Sequence, residues 1–422
     1  MGQTMVEQLF SRKHGAAVSA GEIVTASLDG VMCDYKFGTV NLHAMKAGFH
    51  EGVPTVWDPE RVFVLGDHHQ PAPTQKLADN NLDVRRHVER LGIRTFRDAE
   101  PGISHQMMVD HGLVAPGELV VANDSHAICY GALNAAGTGI SGVETVYALM
   151  FGELWFQVPE TIRVTLKGRV PDYPIAKDII LFLAGGYGDD FANGVSLEFT
   201  GPALVGLGLE SRLCLAAHGV EVGAKFALFP YDEVTQQALA SRSNREHASL
   251  AADPNARYSQ EIAINLDEMP FVVAKPHRFG NVVPVAQAEG VRIDQAQIGS
   301  CANGRFEDIE IAARVMRNRK VSPGVRFIIS PASQTIYLRS LRAGHIETLV
   351  AAGCQVVTPG CGICQPMVGY LASGEVCITS TTRNYSGRKG SPDAGIYLAG
   401  PLTVAAAAVA GRIIDPREVL DA

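Results

Sequence analysis

Three cysteine residues offer the most recognisable chemistry in this chain. Cys361 and Cys364 form a C-x-x-C motif preceded by Pro359 and Gly360, and Cys301 lies 60 residues upstream. Thiolates at this spacing suit an iron–sulfur cluster, half of a zinc site or a redox dithiol. The chain has no second C-x-x-C, which weakens the zinc interpretation, and the motif does not open a helix after an N-terminal strand, which weakens the thioredoxin-like one. Spacing alone leaves all three open.

The remaining five of the eight cysteines lie within apolar stretches. Their arrangement is not a disulfide framework, because the chain has few cysteines for its length and no export signal. A thiol in such surroundings behaves as a small hydrophobic side chain. We therefore expect five buried thiols without a chemical role, at Cys33, Cys129, Cys214, Cys354 and Cys377.

The elements that would position reactive groups are short apolar runs, which alternate with longer helix-like stretches. This alternation predicts mostly parallel β-sheets covered by α-helices. In open α/β sheets, ligands bind beyond the carboxyl ends of the strands. The predicted strands are residues 62–65, 119–121, 296–298, 356–357 and 376–378, and the polar groups that follow them are Asp67 and His68, Asp124 to His126, Cys301, Cys361 and Arg383.

Composition narrows the class of protein. Hydrophobic residues make up 46% of the chain, which is ample for buried cores and excludes global disorder. The net charge of −8, without a basic stripe carrying aromatic residues, argues against a nucleic-acid partner. The sequence shows neither a signal peptide nor an apolar stretch long enough for a membrane span, so we expect a cytoplasmic protein without a membrane partner. A small anionic substrate would need a local cluster of arginines.

Several motifs in order resemble the aconitase family. The paired cysteine segments, Ile298–Arg305 and Pro359–Cys364, are similar to its cluster signature. Asp67 to Pro73, Gly102 to Gln106 and Asp124 to Leu133 resemble its three histidine motifs. The likeness extends from residue 5 to residue 415 and is closest to the 3-isopropylmalate dehydratase branch, with its homoaconitase-like relatives. Further matching segments are residues 155–162, 274–285 and 383–388.

The resemblance implies a fold as well as a chemistry. It implies an α/β, aconitase-like architecture of three α/β/α domains, with mostly parallel sheets around a cluster cleft. We place these domains at residues 1–160, 161–285 and 286–422, with the histidine motifs in the first, Glu221 in the second and the cysteines in the third. A C-terminal swivel domain is not expected in this chain.

The resemblance also implies roles for individual residues. One [4Fe–4S] cluster per chain would be held by Cys301, Cys361 and Cys364, leaving one iron without a cysteine ligand. Asp67 and His68 would act near the leaving hydroxyl, with His69 in a supporting position at most. The other expected catalytic residues are His105, Asp124, His126 and Glu221, and the expected substrate-binding residues are Ser125, Arg383 and Arg388.

Three positions depart from the family pattern. Thr382 stands where Asn commonly precedes the first arginine, and Ala217-His218 replaces a common Asn-Met pair. Ala127 follows Asp124-Ser125-His126 where Thr is usual. The resemblance implies that loss of the two Asn residues changes either the substrate or the control of the cluster, and that the ligand cysteines are unaffected.

The function that the resemblance implies is that of the large subunit of an iron–sulfur hydro-lyase. It would interconvert 3-isopropylmalate and 2-isopropylmalate by removing and re-adding water, as in leucine biosynthesis. Alternative substrates are homoaconitate, dimethylmalate and citramalate, and a remote alternative is a cluster-sensing regulator. Because the swivel domain of the family supplies the catalytic serine base, a separate small subunit is the expected partner.

Overall fold

The computed structural model describes residues 2–34, 56–68, 70–240, 242, 245–365 and 367–420. The chain forms two compact units. The first unit comprises Met1–Thr165, Ala192–Leu204 and Ala224–Ala263, and the second comprises Leu166–Phe191, Val205–Gly223 and Ile264–Ala422. The three domain boundaries expected from the resemblance stay a prediction.

The first unit is built on a five-stranded sheet in which every strand pair is parallel. Its strand order is β4-β3-β2-β5-β6, and β2, β3 and β5 are buried along their whole length. Continuous apolar runs favour this arrangement because both faces of a parallel sheet are covered. The strands of the first unit are β1 Ile23–Ser27, β2 Gly30–Asp34, β3 Val62–Leu65, β4 Thr95–Arg97, β5 Leu119–Ala122, β6 Ala136–Gly139, β7 Glu153–Gln157, β8 Thr161–Lys167, β9 Ser196–Thr200, β10 Phe226–Leu228 and β11 Gln260–Asn265. The last two residues of β8 and of β11 are assigned to the second unit.

Two smaller sheets complete the first unit. The order of the four-stranded sheet is β10-β9-β8-β11, with β9 parallel to both of its neighbours. Strands β1 and β7 form an antiparallel pair.

Capping residues set the ends of the first unit's helices. The first helix begins with a capping box between Thr4 and Glu7, and the backbone N–H of Met5 donates to the buried carboxylate of Glu198 at 2.6 Å. Such contacts satisfy N–H groups that have no partner within the helix. The α-helices are Met5–His14, Gln75–Leu91, Ser104–Asp110, Gly142–Phe151 and Glu233–Ala240, and Ser125–Leu133 is a 3₁₀-helix.

The second unit is built on a seven-stranded sheet of order β13-β12-β18-β17-β14-β15-β16. The five strands from β18 to β16 are parallel, and β12 and β13 are antiparallel additions at one edge. The two cysteine segments follow β14 and β16, which flank β15. The bounds are β12 Val272–Ala274, β13 Val282–Pro284, β14 Gln295–Ile298, β15 Arg326–Ile329, β16 Gln355–Val356, β17 Val376–Thr379 and β18 Gly395–Ala399.

Helices follow most parallel strands of the second unit. The apolar stretch after Gly400 is a buried helix with Pro401 in its first turn, as the sequence predicts. Among the described residues, no helix combines the length and hydropathy that crossing a membrane requires. The α-helices are Ala176–Tyr187, Leu209–His218, Ser300–Asn303, Phe306–Met316, Gln334–Arg342, His345–Ala351, Pro401–Ala410 and Arg417–Leu420, and the 3₁₀-helices are Gly219–Val222, Leu266–Glu268, Val285–Gln287 and, across the boundary of the units, Pro202–Gly206.

The predicted class, α/β with mostly parallel sheets, is confirmed. Each apolar run identified in the sequence corresponds to a strand to within one residue at either end, in β3, β5, β14, β16 and β17. The polar groups therefore do lie at carboxyl ends of parallel strands within each unit.

Candidate functional site

In the first unit, the imidazole of His68 lies against two buried carboxylates. Its Nδ1 is 2.5 Å from Oδ1 of Asp67 and 3.1 Å from Oδ2 of Asp34. Both strands that end at this point, β2 and β3, are neighbours in the parallel sheet, so Asp34 and His68 meet at its carboxyl edge. Ser104 fixes the other Asp67 oxygen, because its backbone N–H and hydroxyl donate to Oδ2 at 3.0 and 2.9 Å.

The carboxylates determine the charge of this imidazole. Burial alone would lower the pKa of His68, but Asp67 and Asp34 outweigh burial and hold that pKa well above its ordinary value. Burial would raise the pKa of Asp67, but His68 and the hydrogen bond from the Ser104 N–H outweigh burial and lower this pKa. For Asp34 burial prevails and raises the pKa, although His68 opposes it. At neutral pH, His68 is therefore an imidazolium paired chiefly with Asp67.

A second hydrogen-bonded group surrounds Asp124, the N-cap of the 3₁₀-helix. Its Oδ1 lies 2.7 Å from Nε2 of His105 and accepts from the His126 backbone N–H at 2.9 Å. Burial would raise the pKa of Asp124, but the hydrogen bonds from His105 and His126 hold it well below its ordinary value. The other nitrogen of His105 is 3.2 Å from the Tyr130 hydroxyl, so both of its nitrogens have partners. Asp124 Oδ2 is 3.8 Å from Nε2 of His68 and links the two groups.

In the second unit, the two cysteine segments pack against each other. A Cβ atom on Gly299 would lie 2.5 Å from Cδ1 of Ile363 and 2.8 Å from the backbone oxygen of Ser330, so the backbone approaches both closely at this point. Ser330, at the end of β15, joins them, since its N–H donates to Ile298 and its hydroxyl donates to the carbonyl of Gly360 at 3.2 Å. Cys301, Cys361 and Cys364 are all buried and lie beyond the carboxyl ends of parallel strands at the same edge of the sheet.

The surroundings of Cys364 favour a thiolate. Arg388 Nη2 donates to its sulfur at 3.2 Å, and the Thr382 hydroxyl lies 3.3 Å from the same atom. Contact with Cys361, together with Arg388, outweighs burial and lowers the pKa of Cys364 well below its ordinary value. By contrast, burial raises the pKa of Cys377 to about 11. The five cysteines expected to have no chemical role are all buried.

Arg383 and Glu221 form an ion pair within the second unit. Nε of Arg383 lies 2.8 and 3.0 Å from the two carboxylate oxygens of Glu221. Glu221 belongs to the 3₁₀-helix after Leu209–His218, and Arg383 follows β17. The pair thus brings together two residues that are 162 positions apart in the sequence.

Comparison with known proteins assigns the chain to a family. The profile of the aconitase family (aconitate hydratase) matches residues 66–290 and 285–411. The chain belongs to the aconitase family. Full-length relatives within it include 3-isopropylmalate dehydratase large subunit 1 of Methanopyrus kandleri, 39% identical over 100% of both chains, and large subunit 2 of Archaeoglobus fulgidus, 40% identical over 100% of both chains.

A solved structure supports the same fold. The holo-form of aconitase X from Thermococcus kodakaraensis is similar to this chain with a TM-score of 0.50, at 12% sequence identity, over 91% of this chain and 94% of that one. At this identity the likeness concerns the fold alone. An aconitase-like architecture agrees with the parallel sheets described above.

The residues expected from the aconitase motifs fall into two sets. The first unit brings together Asp67, His68, His105, Asp124 and His126, and Ser125 is half-buried in the first turn of the 3₁₀-helix. The second unit brings together Cys364 with Cys361 and Arg388, and Glu221 with Arg383, and Cys301 lies at the same edge of the sheet. His69 lies outside the described residues.

Sequence reasoning missed Asp34, Ser104, Tyr130 and Lys389. A signal existed for Asp34, because it ends the apolar run Gly30 to Cys33 in the way that Asp67 follows residues 62–65. Tyr130 lay within a recognised motif but received no role. Ser104 donates to Asp67 through its backbone N–H as well as its hydroxyl, and a pattern of side chains does not reveal a backbone donor.

The departures from the family pattern also have structural positions. Thr382 is completely buried against Cys364. His218 is completely buried, and its Nδ1 donates to the Cys214 carbonyl at 2.8 Å, which leaves Nε2 to accept from Lys177 at 2.6 Å. His218 is therefore part of a buried polar network where the family commonly has Met.

Proposed function

We propose that this chain is the large subunit of a hydro-lyase that holds a [4Fe–4S] cluster on Cys301, Cys361 and Cys364. Its reaction is the interconversion of 3-isopropylmalate and 2-isopropylmalate by loss and re-addition of water. The observation that carries the proposal is the gathering of three buried cysteines, one of them in contact with an arginine, in a chain of the aconitase family.

The cysteine set suits a cluster better than a single zinc ion. In tetrahedral zinc sites with Zn–S bonds of about 2.3 Å, thiolate sulfurs lie about 3.8 Å apart. Among the described residues, the three cysteines do not form a set with all sulfurs within 4.8 Å of one another, and the chain has no second C-x-x-C that would complete a zinc site. The close approach of Gly299 to Ile363 and the lowered pKa of Cys364 also suit a thiolate-bound centre.

The cluster, when bound, supplies a Lewis acid for the hydroxyl and a carboxylate of the substrate. The arginines of the second unit provide positive charge for the substrate's carboxylates. Arg383 is held by Glu221, and Arg388 by the Cys364 sulfur and the Tyr385 hydroxyl at 3.1 Å. A guanidinium in a fixed orientation can bind a carboxylate through two parallel hydrogen bonds.

Proton transfer belongs to the first unit. With its Nδ1 held between Asp67 and Asp34, the imidazolium of His68 carries its transferable proton on Nε2. We assign His68 as the general acid that protonates the departing hydroxyl. Asp124 orients His105 and His126, which bind water or substrate, and Ser125 donates to a substrate carboxylate.

The proposed substrate follows from the relatives' names, and the departures from the family pattern extend the set of substrates to be tested. Relatives from archaea and bacteria that match over the full length are named 3-isopropylmalate dehydratase large subunits. Thr382 and Ala217, in place of two common Asn residues, are the reason to include homoaconitate, dimethylmalate and citramalate in a substrate screen.

A small subunit completes the proposal. The relatives are named as large subunits, which implies an assembly with a second chain. We assign the base that removes the carbon-bound proton to that partner. The chain alone should accordingly turn over substrate poorly or not at all.

The test is anaerobic reconstitution with iron and sulfide, followed by iron analysis and visible absorbance. The wild type should take up about four irons per chain, Cys364→Ser should lose the absorbance, and Cys377→Ser, a buried control on β17, should keep it. Addition of a small subunit should then give isopropylmalate isomerisation. Stoichiometric zinc, or no metal in the wild type, would overturn the proposal.

A further inference from the structure

Lys389 is a buried lysine in the second unit, only 1% exposed. Its ammonium donates to the side-chain oxygen of Gln297 at 2.5 Å and to the backbone carbonyl of Ile363 at 2.7 Å. A buried ammonium is costly unless it is hydrogen-bonded and near negative charge. Burial of Lys389 therefore carries an energetic cost that a solvated surface lysine does not have, and its two hydrogen bonds offset part of that cost.

One acceptor lies directly before the first cysteine segment, and the other lies within the second. Gln297 lies on β14, four residues before Cys301, and Ile363 lies between Cys361 and Cys364. One side chain thus connects the strand that delivers the first thiol to the loop that carries the other two. We propose that Lys389 is a positioning residue that holds the three cysteines in their cluster-binding arrangement before iron arrives.

The neighbouring residue supports this role. Arg388 donates from Nη2 to the Cys364 sulfur at 3.2 Å, so two consecutive side chains hold the C-x-x-C loop. The segment itself is anchored, because the Lys389 carbonyl accepts from the Leu371 N–H at 2.7 Å. The inference rests on the proposed cluster, and it concerns the protein before loading.

Two variants separate hydrogen bonding from charge. Lys389→Met removes both, whereas Lys389→Gln keeps a donor and loses the charge. Lys320→Met is the matched control, since Lys320 also donates to a backbone carbonyl, that of Ala351 at 2.6 Å, but in an exposed place. Each protein is compared as the full chain for its rate of anaerobic cluster assembly and for alkylation of the three cysteines in the apoprotein.

We expect Lys389→Met to assemble its cluster at least about tenfold more slowly and to be alkylated faster at Cys301, Cys361 and Cys364. Lys389→Gln should be intermediate, and Lys320→Met should match the wild type. Wild-type rates in Lys389→Met for both measurements would overturn the inference while leaving the proposed function intact. If Lys389→Met does not fold, wild-type behaviour of Lys389→Gln would overturn it. Failure of the wild type to take up iron would instead overturn the proposed function. The alkylation rates of the apoprotein would still test the positioning role of Lys389.

Discussion

Arg383 binds Glu221 through Nε, which lies 2.8 and 3.0 Å from the two carboxylate oxygens. The Glu221 side chain is 9% exposed and that of Arg383 is 31% exposed, so the pair is only partly screened by water. Contacts at Nε orient the plane of the guanidinium. Glu221, which the family resemblance gives as an expected catalytic residue, therefore also has the geometry of a residue that orients Arg383.

Glu221→Gln should weaken substrate binding. Loss of the charge on the carboxylate leaves Arg383 less well oriented, and we expect KM to rise about tenfold with a smaller change in kcat. Arg383→Lys should raise KM further, because an ammonium cannot form a two-pronged contact. Steady-state kinetics of the reconstituted complex measure both. The double variant should show less than the summed effect, and strict additivity would contradict the positioning role. Glu261→Gln, which breaks an exposed pair with Arg163, is the control.

Asp67→Asn and Asp34→Asn should shift the alkaline limb of the pH profile of kcat to lower pH. Each removes a carboxylate that raises the pKa of His68, so the imidazolium is lost at lower pH. We expect a shift of at least about one pH unit for Asp67→Asn and a smaller one for Asp34→Asn, because burial raises the pKa of Asp34 and weakens its charge. An unchanged alkaline limb in both variants would exclude His68 as the acid.

Thr382→Val should destabilise the bound cluster. The substitution keeps the shape of the side chain and removes the hydroxyl that lies 3.3 Å from the Cys364 sulfur. Outer contacts of this kind change metal-site affinity by about tenfold or more. We expect iron to be lost to a chelator about tenfold faster than from the wild type. Thr403→Val, in the buried helix Pro401–Ala410, should leave the rate unchanged, and equal rates in both variants would contradict the prediction.

Glu198→Gln should alter the pH dependence of stability. Burial raises the pKa of Glu198 from 4.5 to about 7, against its hydrogen bonds from Met5 and Tyr258. Since the pKa is higher in the folded state, the stabilising contribution is present below pH 4.5 and is lost as pH rises to about 7. Relative to wild type, Glu198→Gln should gain about 2–3 kcal/mol of unfolding free energy between pH 4.5 and pH 8. Denaturant unfolding at both pH values measures this difference, and a constant difference would refute it.

Much of the fold could be predicted from the sequence, because buried parallel strands consist of continuous apolar residues. Residues 62–65 illustrate this, as they form β3 without any change of bounds. Helix ends are less accessible: the helix Gln334–Arg342 ends with cap contacts of the Ala343 and Gly344 backbone N–H groups, which are not apparent from periodicity. Motif matching identified the cysteines, the histidine motifs and both arginines, whose roles stay predictions.

The pairings within the site were not predictable. Asp34 reaches His68 only because β2 and β3 are adjacent, and strand order is a property of the whole sheet. Lys389 was overlooked beside Arg388, because an adjacent lysine in a glycine-containing loop is most often solvated. Its burial depends on acceptors from residues 297 and 363, which are distant in sequence.

The central position of β17 and β18 also determines the order in which the parts of the cysteine site become available during biosynthesis. These strands, residues 376–399, separate β12 from β14 in the seven-stranded sheet, yet they leave the ribosome after all three cysteines of the site. Arg388 and Lys389 emerge with them. While translation is under way, the thiols are therefore exposed without the strands and cations that gather them. For the proposed cluster, we therefore expect iron and sulfide to enter the site after chain release.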